Sequence, residues 1–177
     1  MRRSGLRWEL AGIPVIAILG SVLHFVFEWS GQWDPVGVIA AVNESVWEHL
    51  KLAFWPALLY AVLEYPYLKG STDNFMIAKA IGIYLMPVAI VAIFYSYTAI
   101  IGHEVLWIDI LTFWVAVAIG QLISYRIMVA RKLPDWLNKL GLALLFLLAI
   151  AFGVLAFHTP RLPIFEDATT GAYGIPV

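Results

Sequence analysis

The sequence predicts an all-α membrane protein, a polytopic bundle of about five transmembrane helices, and three observations support this prediction. Hydrophobic residues make up 62% of the 177 residues and charged residues 13%, with a mean hydropathy of +0.86. A soluble domain is apolar over only about half of its sequence. Several apolar runs approach the roughly 20 residues that cross a bilayer. The length fits one integral membrane domain.

The first two predicted spans flank the most polar stretch of the chain. Residues 11–28 follow a basic flank, and this apolar run leads into His24 and Glu28. Its length disfavours a cleaved signal peptide. Residues 36–42 are expected to form a short interfacial or re-entrant helix, and the second span covers residues 46–63.

Three further spans and a tail follow. They are expected at residues 75–97, 105–124 and 140–157, separated by turns that contain Gly, Pro and charged residues such as Pro134. The tail, residues 158–177, contains apolar residues among its prolines and glycines. We therefore expect it to pack on the bundle.

The distribution of basic residues predicts the orientation. All Lys and Arg except Lys51 and Arg161 lie on the side of the N-terminus, which the positive-inside rule makes cytoplasmic. The chain is therefore expected in the cell membrane, as a multi-pass protein with an extracytoplasmic tail. The same topology places the four histidines and most acids outside: His24, His49, His103, His158, Glu28, Asp34, Glu44, Glu48, Glu104, Asp109, Glu166 and Asp167.

Composition excludes some functions. The net charge is −1 and the basic residues form no stripe, so nucleic acid is not an expected partner. Cysteine is absent, which excludes disulfides and thiolate metal sites.

Residues 43–51, Asn-Glu-Ser-Val-Trp-Glu-His-Leu-Lys, carry the strongest functional signal. Ionisable groups at the mouth of a span are costly and usually functional. His24 and Glu28 are four residues apart, as are Glu44 and Glu48, so each pair is expected to share a helix face. The expected catalytic residues are His24, Glu28, Glu44, Glu48 and His49. Such groups suit metal binding or proton transfer.

Structural roles compete with this interpretation. Ser45 and Glu48 also form a capping box, and Lys51 can extend along the apolar surface toward the headgroups. The tryptophans suit an aromatic belt or the wall of a ligand site. The expected ligand-binding residues are Trp29, Asn43, Trp47, Lys51, Asp167 and Tyr173.

The sequence also resembles two protein families. His-Phe-Val-Phe-Glu-Trp-Ser-Gly from His24, Val-Asn-Glu-Ser-Val-Trp-Glu-His-Leu-Lys-Leu from Val42, and the tail motifs Leu-Pro-Ile-Phe-x-Asp and Thr-Gly-x-Tyr-Gly-Ile resemble a family of small prokaryotic multi-pass membrane proteins of unknown function. The resemblance covers nearly the whole chain. It implies no activity.

A local stretch is also similar to the emopamil-binding superfamily of sterol isomerases and the sigma-2 receptor. It comprises His24-x-x-x-Glu28, then Glu48 and the downstream Phe-Trp-Pro-Ala-Leu-Leu-Tyr. In those isomerases one His and two acids shuttle a proton on a sterol double bond. The resemblance implies that role for His24, Glu28 and Glu48.

The leading expectation is an enzyme that acts by acid/base chemistry on a lipid or isoprenoid-like substrate at the extracytoplasmic side. The alternative is a zinc-dependent hydrolase with Glu44 as base, whose expected ligands are His24, Glu48, His49 and His158, or Asp167 in place of His158. A third possibility is a binding protein for an apolar small molecule, or a transporter.

Overall fold

The computed structural model describes residues 2–175, and five α-helices dominate them. These are α1 (Arg2–Trp29), α2 (Val46–Leu68), α3 (Phe75–Ile101), α4 (Leu106–Met128) and α5 (Asp135–Phe157). Successive helices run in opposite directions, and 3₁₀ turns occur at Asp34–Val38 and Pro163–Phe165. The all-helical bundle predicted from the sequence is confirmed.

Four of the helices, α1, α3, α4 and α5, are long and apolar enough to cross a membrane. Large apolar side chains such as Ile100, Leu106 and Phe146 are exposed on their outer faces. Exposure of so much apolar surface to water would be unfavourable, whereas its contact with lipid chains is not. The chain is therefore a membrane protein.

The helix α2 differs from the other four because it carries Glu48, Lys51 and Glu64, all of them buried. Twelve of its 23 residues are buried, and it packs against both α1 and α3. It is therefore a central helix, whose charged groups must find partners inside the bundle.

The structure differs from the sequence prediction at the start of the first helix and in the loop that follows it. The first helix begins at Arg2 rather than near residue 11, because the expected basic flank continues the helix and buries Glu9 in the bundle. The expected short helix at residues 36–42 is instead the 3₁₀ turn at Asp34–Val38. Residues 40–42 are buried and follow that turn toward α2.

The tail packs on the bundle, as predicted. Phe165 is buried with its ring centroid 4.8 Å from that of Trp47. The Asn43 side-chain amide donates to the carbonyl of Gly174 at 2.8 Å. The tail thus covers the end of the bundle at which α1 ends and α2 begins, which we call the upper end.

The contact between α3 and α4 depends on Gly82 and Gly120. Because glycine has no side chain, the two helix backbones can approach closely there. A Cβ atom on Gly120 would lie 2.6 Å from the carbonyl oxygen of Gly82 and 2.6 Å from two Met86 carbons. We expect Gly120→Ala to lower the free energy of unfolding by about 1–3 kcal/mol through overpacking, measured by thermal unfolding in mild detergent.

The matched control is Gly153→Ala in α5. The added Cβ atom meets only Val38 at an ordinary 3.5 Å, and alanine favours the helix. This variant should be as stable as the parent or more so, and an equal loss in both variants would contradict the packing argument.

Candidate functional site

Three ligand-type side chains converge at the upper end of the bundle. His24 Nε2 lies 3.2 Å from His49 Nε2, and Glu44 Oε2 lies 3.5 Å from the first and 3.4 Å from the second. We call His24, Glu44 and His49 the triad. It is the group that the described residues offer to a metal ion.

Each member of the triad is held by its own element. His24 lies near the end of α1, His49 lies in the first turn of α2, and Glu44 lies in the loop just before α2. The backbone N–H of Glu44 donates to Asp167 Oδ2 at 3.3 Å. The tail therefore helps to place the loop that carries the triad carboxylate.

The position of His49 determines its tautomer. Its Nδ1 lies 2.8 Å from the carbonyl oxygen of Ser45, and a carbonyl oxygen can only accept. Nδ1 is therefore the protonated nitrogen, and a neutral imidazole has its lone pair on Nε2, which faces the triad. Metal-binding histidines are commonly oriented by a hydrogen bond of this kind.

The triad carboxylate is ionised over the ordinary pH range. Protonated imidazoles of His24 and His49, which donate to its carboxylate, hold the pKa of Glu44 well below its usual range, although partial burial opposes this. The Glu44 side chain is 46% exposed, against 28% for His24 and 35% for His49. The three groups are therefore accessible from outside the bundle.

The triad distances fit a metal ion. Donors bound tetrahedrally at about 2.0–2.1 Å, as zinc prefers, lie about 3.3 Å from one another. The three separations here are 3.2, 3.4 and 3.5 Å. Two histidines and one glutamate would leave the fourth position open, as in catalytic zinc sites.

A pocket with a volume of about 650 Å³ adjoins the triad. Its walls include apolar side chains of α2, α3 and α4, namely Leu52, Ile90, Phe94, Leu106, Ile110, Phe113 and Trp114. The carboxylates that line it are Glu44, Glu104, Asp109, Glu166 and Asp167, and among the described side chains no Lys or Arg lines it. We call it the triad pocket.

Glu48 and Lys51, both predicted as site residues, lie in the protein interior and not in the triad. They form a buried ion pair. Glu48 Oε2 also accepts from the backbone N–H of Val42 at 3.0 Å, and Lys51 Nζ donates to the carbonyl of Gly37 at 2.7 Å. Half of the predicted capping box is present, because Ser45 Oγ accepts from the Glu48 backbone N–H.

The structure places two of the predicted metal ligands, Glu48 and His158, outside the triad. Glu44 takes the place of Glu48, whose carboxylate binds Lys51. His158 caps the end of α5, is exposed and is not part of the triad. Of the predicted ligands, His24 and His49 come together.

The other predicted site residues lie outside the triad. Glu28 and Trp29 are exposed at the end of α1, and the Trp47 ring packs between Phe152 and Phe165. Asn43 accepts from the Ser45 N–H and donates to the tail. These contacts position the loop around Glu44.

The tail contributes two carboxylates to the pocket, Glu166 and Asp167, and the second lies in a tight turn. Burial alone would raise the pKa of Asp167, but hydrogen bonds from Thr169, Thr170 and Glu44 lower it. Tyr173 donates from its hydroxyl to Glu166 Oε2 at 2.8 Å. Tyr173 lines a neighbouring cavity rather than the triad pocket.

Asp109 was predicted to lie on the same side of the membrane as the histidines, but no role was predicted for it. It lies in the first turn of α4 and lines the triad pocket. Its Oδ1 accepts from the hydroxyl of Tyr97 at 2.5 Å. Asp109 is 60 residues from His49 along the chain, so the sequence does not show that both residues line the same pocket.

The chain belongs to the family of unknown function DUF6512, whose model matches residues 2–175. This confirms the predicted membership of a membrane protein family without a known activity. Searches of curated proteins and of solved structures found no match.

The buried pair formed by Glu48 and Lys51 should be structurally essential. Lys51→Ala would leave the Glu48 carboxylate buried without its cation, which costs about 3–5 kcal/mol. We expect a correspondingly lower unfolding temperature in mild detergent. Replacing both residues by apolar ones, Glu48→Leu/Lys51→Met, should recover much of the loss.

The matched control is Lys132→Ala, which removes an exposed pair with Asp135. An exposed ion pair contributes less than about 1 kcal/mol. Similar losses from Lys51→Ala and Lys132→Ala would contradict the structural role.

Proposed function

We propose that this chain is a zinc-dependent membrane hydrolase that cleaves an acyl bond of a lipid-like substrate in the triad pocket. The observation that carries the proposal is the mutual separation of the three triad donors, 3.2 to 3.5 Å. Both imidazole Nε2 atoms face the same carboxylate oxygen of Glu44. A shared cation accounts for all three distances.

In this proposal the triad binds the metal and a different residue acts as the general base. The triad would hold the metal, and a bound zinc ion supplies a Lewis acid and an activated water. We assign the general base to Asp109, since Glu44 is needed as a ligand. Tyr97 occupies one oxygen of Asp109, which orients the carboxylate and leaves its other oxygen for proton transfer.

The walls of the triad pocket indicate the substrate class. Apolar side chains from three helices suit an acyl chain. The acidic lining without Lys or Arg would repel a phosphate or a free carboxylate. An ester or amide with an uncharged or cationic head group fits these surroundings.

The isomerase-like alternative has less support. It needs His24, Glu28 and Glu48 to act on one substrate, but Glu28 is exposed and Glu48 binds Lys51. A binding protein or transporter would share the triad pocket, so activity must be measured directly. The cell membrane remains the expected location because the histidines and the triad pocket lie on the side predicted to be extracytoplasmic.

Metal content tests the triad. Protein purified without chelators should contain about one zinc or other transition-metal ion per chain by mass spectrometry. The His24→Ala/His49→Ala variant should lose it. His103→Ala removes an exposed histidine of the same end and should keep the metal. A metal-free parent protein, even after incubation with zinc, would contradict the proposal.

Hydrolysis tests the assignment of Asp109. Lauroyl esters of glycerol and choline should be cleaved, and lauroyl glycerol phosphate should be a poor substrate. Asp109→Asn should lower kcat by about 10²–10⁴ as expected for loss of a general base, while the metal content stays unchanged. Asp135→Asn, an exposed change at the opposite end, serves as control. Binding of these lipids without turnover would favour the ligand-binding alternative.

A further inference from the structure

A second cluster of ionisable groups lies at the opposite, lower end of the bundle. Glu9 of α1, Glu64 of α2 and Lys79 of α3 are 0%, 0% and 2% exposed. Lys79 Nζ lies 2.7 Å from Glu9 Oε1 and also pairs with Glu64 Oε2. We call these three residues the lower cluster.

The lower cluster has two carboxyl groups for one ammonium group. An uncompensated charge inside a membrane protein is strongly unfavourable. The neighbouring polar groups do not supply a second cation. Ser124 and Gln121 of α4 are neutral, and the Tyr60 hydroxyl of α2 donates to the carbonyl of Trp8.

Charged groups of the surrounding helices lie elsewhere. Arg7 of α1 and Arg126 of α4 are exposed, as are Asp135 and Lys139 of α5. In α3 the nearest charged group to Glu64 is Lys79 itself. Among the side chains that the structure describes, those of residues 4–175, the lower cluster therefore has one negative charge in excess.

We propose that the lower cluster is a binding site for one proton, held on Glu64. Glu9 Oε1 accepts from both Lys79 and the Ser124 hydroxyl, at 2.7 and 2.9 Å, and two such donors stabilise an ionised carboxylate. Glu64 is paired through Oε2 with Lys79 alone. Glu64 is therefore the group that takes the proton.

Unpartnered oxygens support the same assignment. Glu9 Oε2 and Glu64 Oε1 are buried and have no hydrogen-bond partner in the described part of the chain. Two buried acceptors without a donor are unfavourable. A proton on Glu64 converts one of these acceptors into a donor and also neutralises the excess charge.

The proton site is separate from the triad. Glu9 and His24 are both on α1 and are about 22 Å apart along its axis at 1.5 Å per residue. The layer between them contains buried apolar residues, including Ile16, Ala17, Phe54 and Val117. Proton exchange at the lower cluster is therefore expected from the lower end.

Infrared spectroscopy of the full-length protein in detergent tests the proposal. The parent should show the carbonyl stretch of a buried protonated carboxyl group at neutral pH, with an isotope shift in heavy water. Glu64→Gln should remove this band. Persistence of the band in Glu64→Gln, or its absence from the parent, would overturn the proposal.

Stability supplies a second readout, because glutamine resembles a protonated glutamate. Glu64→Gln should have the unfolding temperature of the parent at neutral pH. A drop of more than about 5 °C, in the range expected for a loss of 1 kcal/mol or more, would mean that Glu64 is an ionised partner of Lys79. Glu28→Gln, an exposed change, is the matched control and should alter neither the band nor the unfolding temperature.

Discussion

The arrangement of the upper end depends on one buried ion pair, that of Glu48 with Lys51. A pair of ions in an apolar interior is stable only if their remaining hydrogen-bonding capacity is also satisfied. Here the backbone of the loop between α1 and α2 satisfies it, through the Val42 N–H and the Gly37 carbonyl. The pair therefore fixes the loop on α2. Glu44 follows two residues after Val42 and is presented to the histidines as a result.

Two carboxylates four residues apart thus have different roles because their environments differ. Glu48 lies inside the bundle and is neutralised by a lysine of its own helix. Glu44 precedes the helix, is nearly half exposed and faces two imidazoles. The first stabilises the fold and the second is free to bind a ligand. Residue type alone does not separate these roles, whereas burial and the available partners do.

The helices and their order could be predicted because apolar runs of the required length are local features of the sequence. The prediction that the histidines share one side of the membrane followed from counting the spans. The membership of the triad did not follow, since the four-residue spacing of Glu44 and Glu48 has meaning only within a helix. The helix α2 begins at Val46 with Ser45 as its cap, so Glu44 lies outside it.

The lower cluster was missed for a related reason. Lys79 was counted only among the basic residues on the side of the N-terminus, and Glu9 was assigned no role. One local signal was present, because Glu9 is seven residues before the buried Ile16 and thus shares its helix face. A pairing between charges 70 residues apart in the chain nevertheless depends on tertiary packing.

The two ends of the bundle differ in a way that bears on function. Both contain two or more carboxylates with a basic partner, but the lower cluster is enclosed and the triad is partly exposed beside a pocket. An enclosed site can exchange only something as small as a proton without opening the bundle. A partly exposed site with converging donors can exchange a metal ion and admit an organic molecule. In the proposed functions, larger ligands therefore bind at the upper end, and the lower cluster binds a proton.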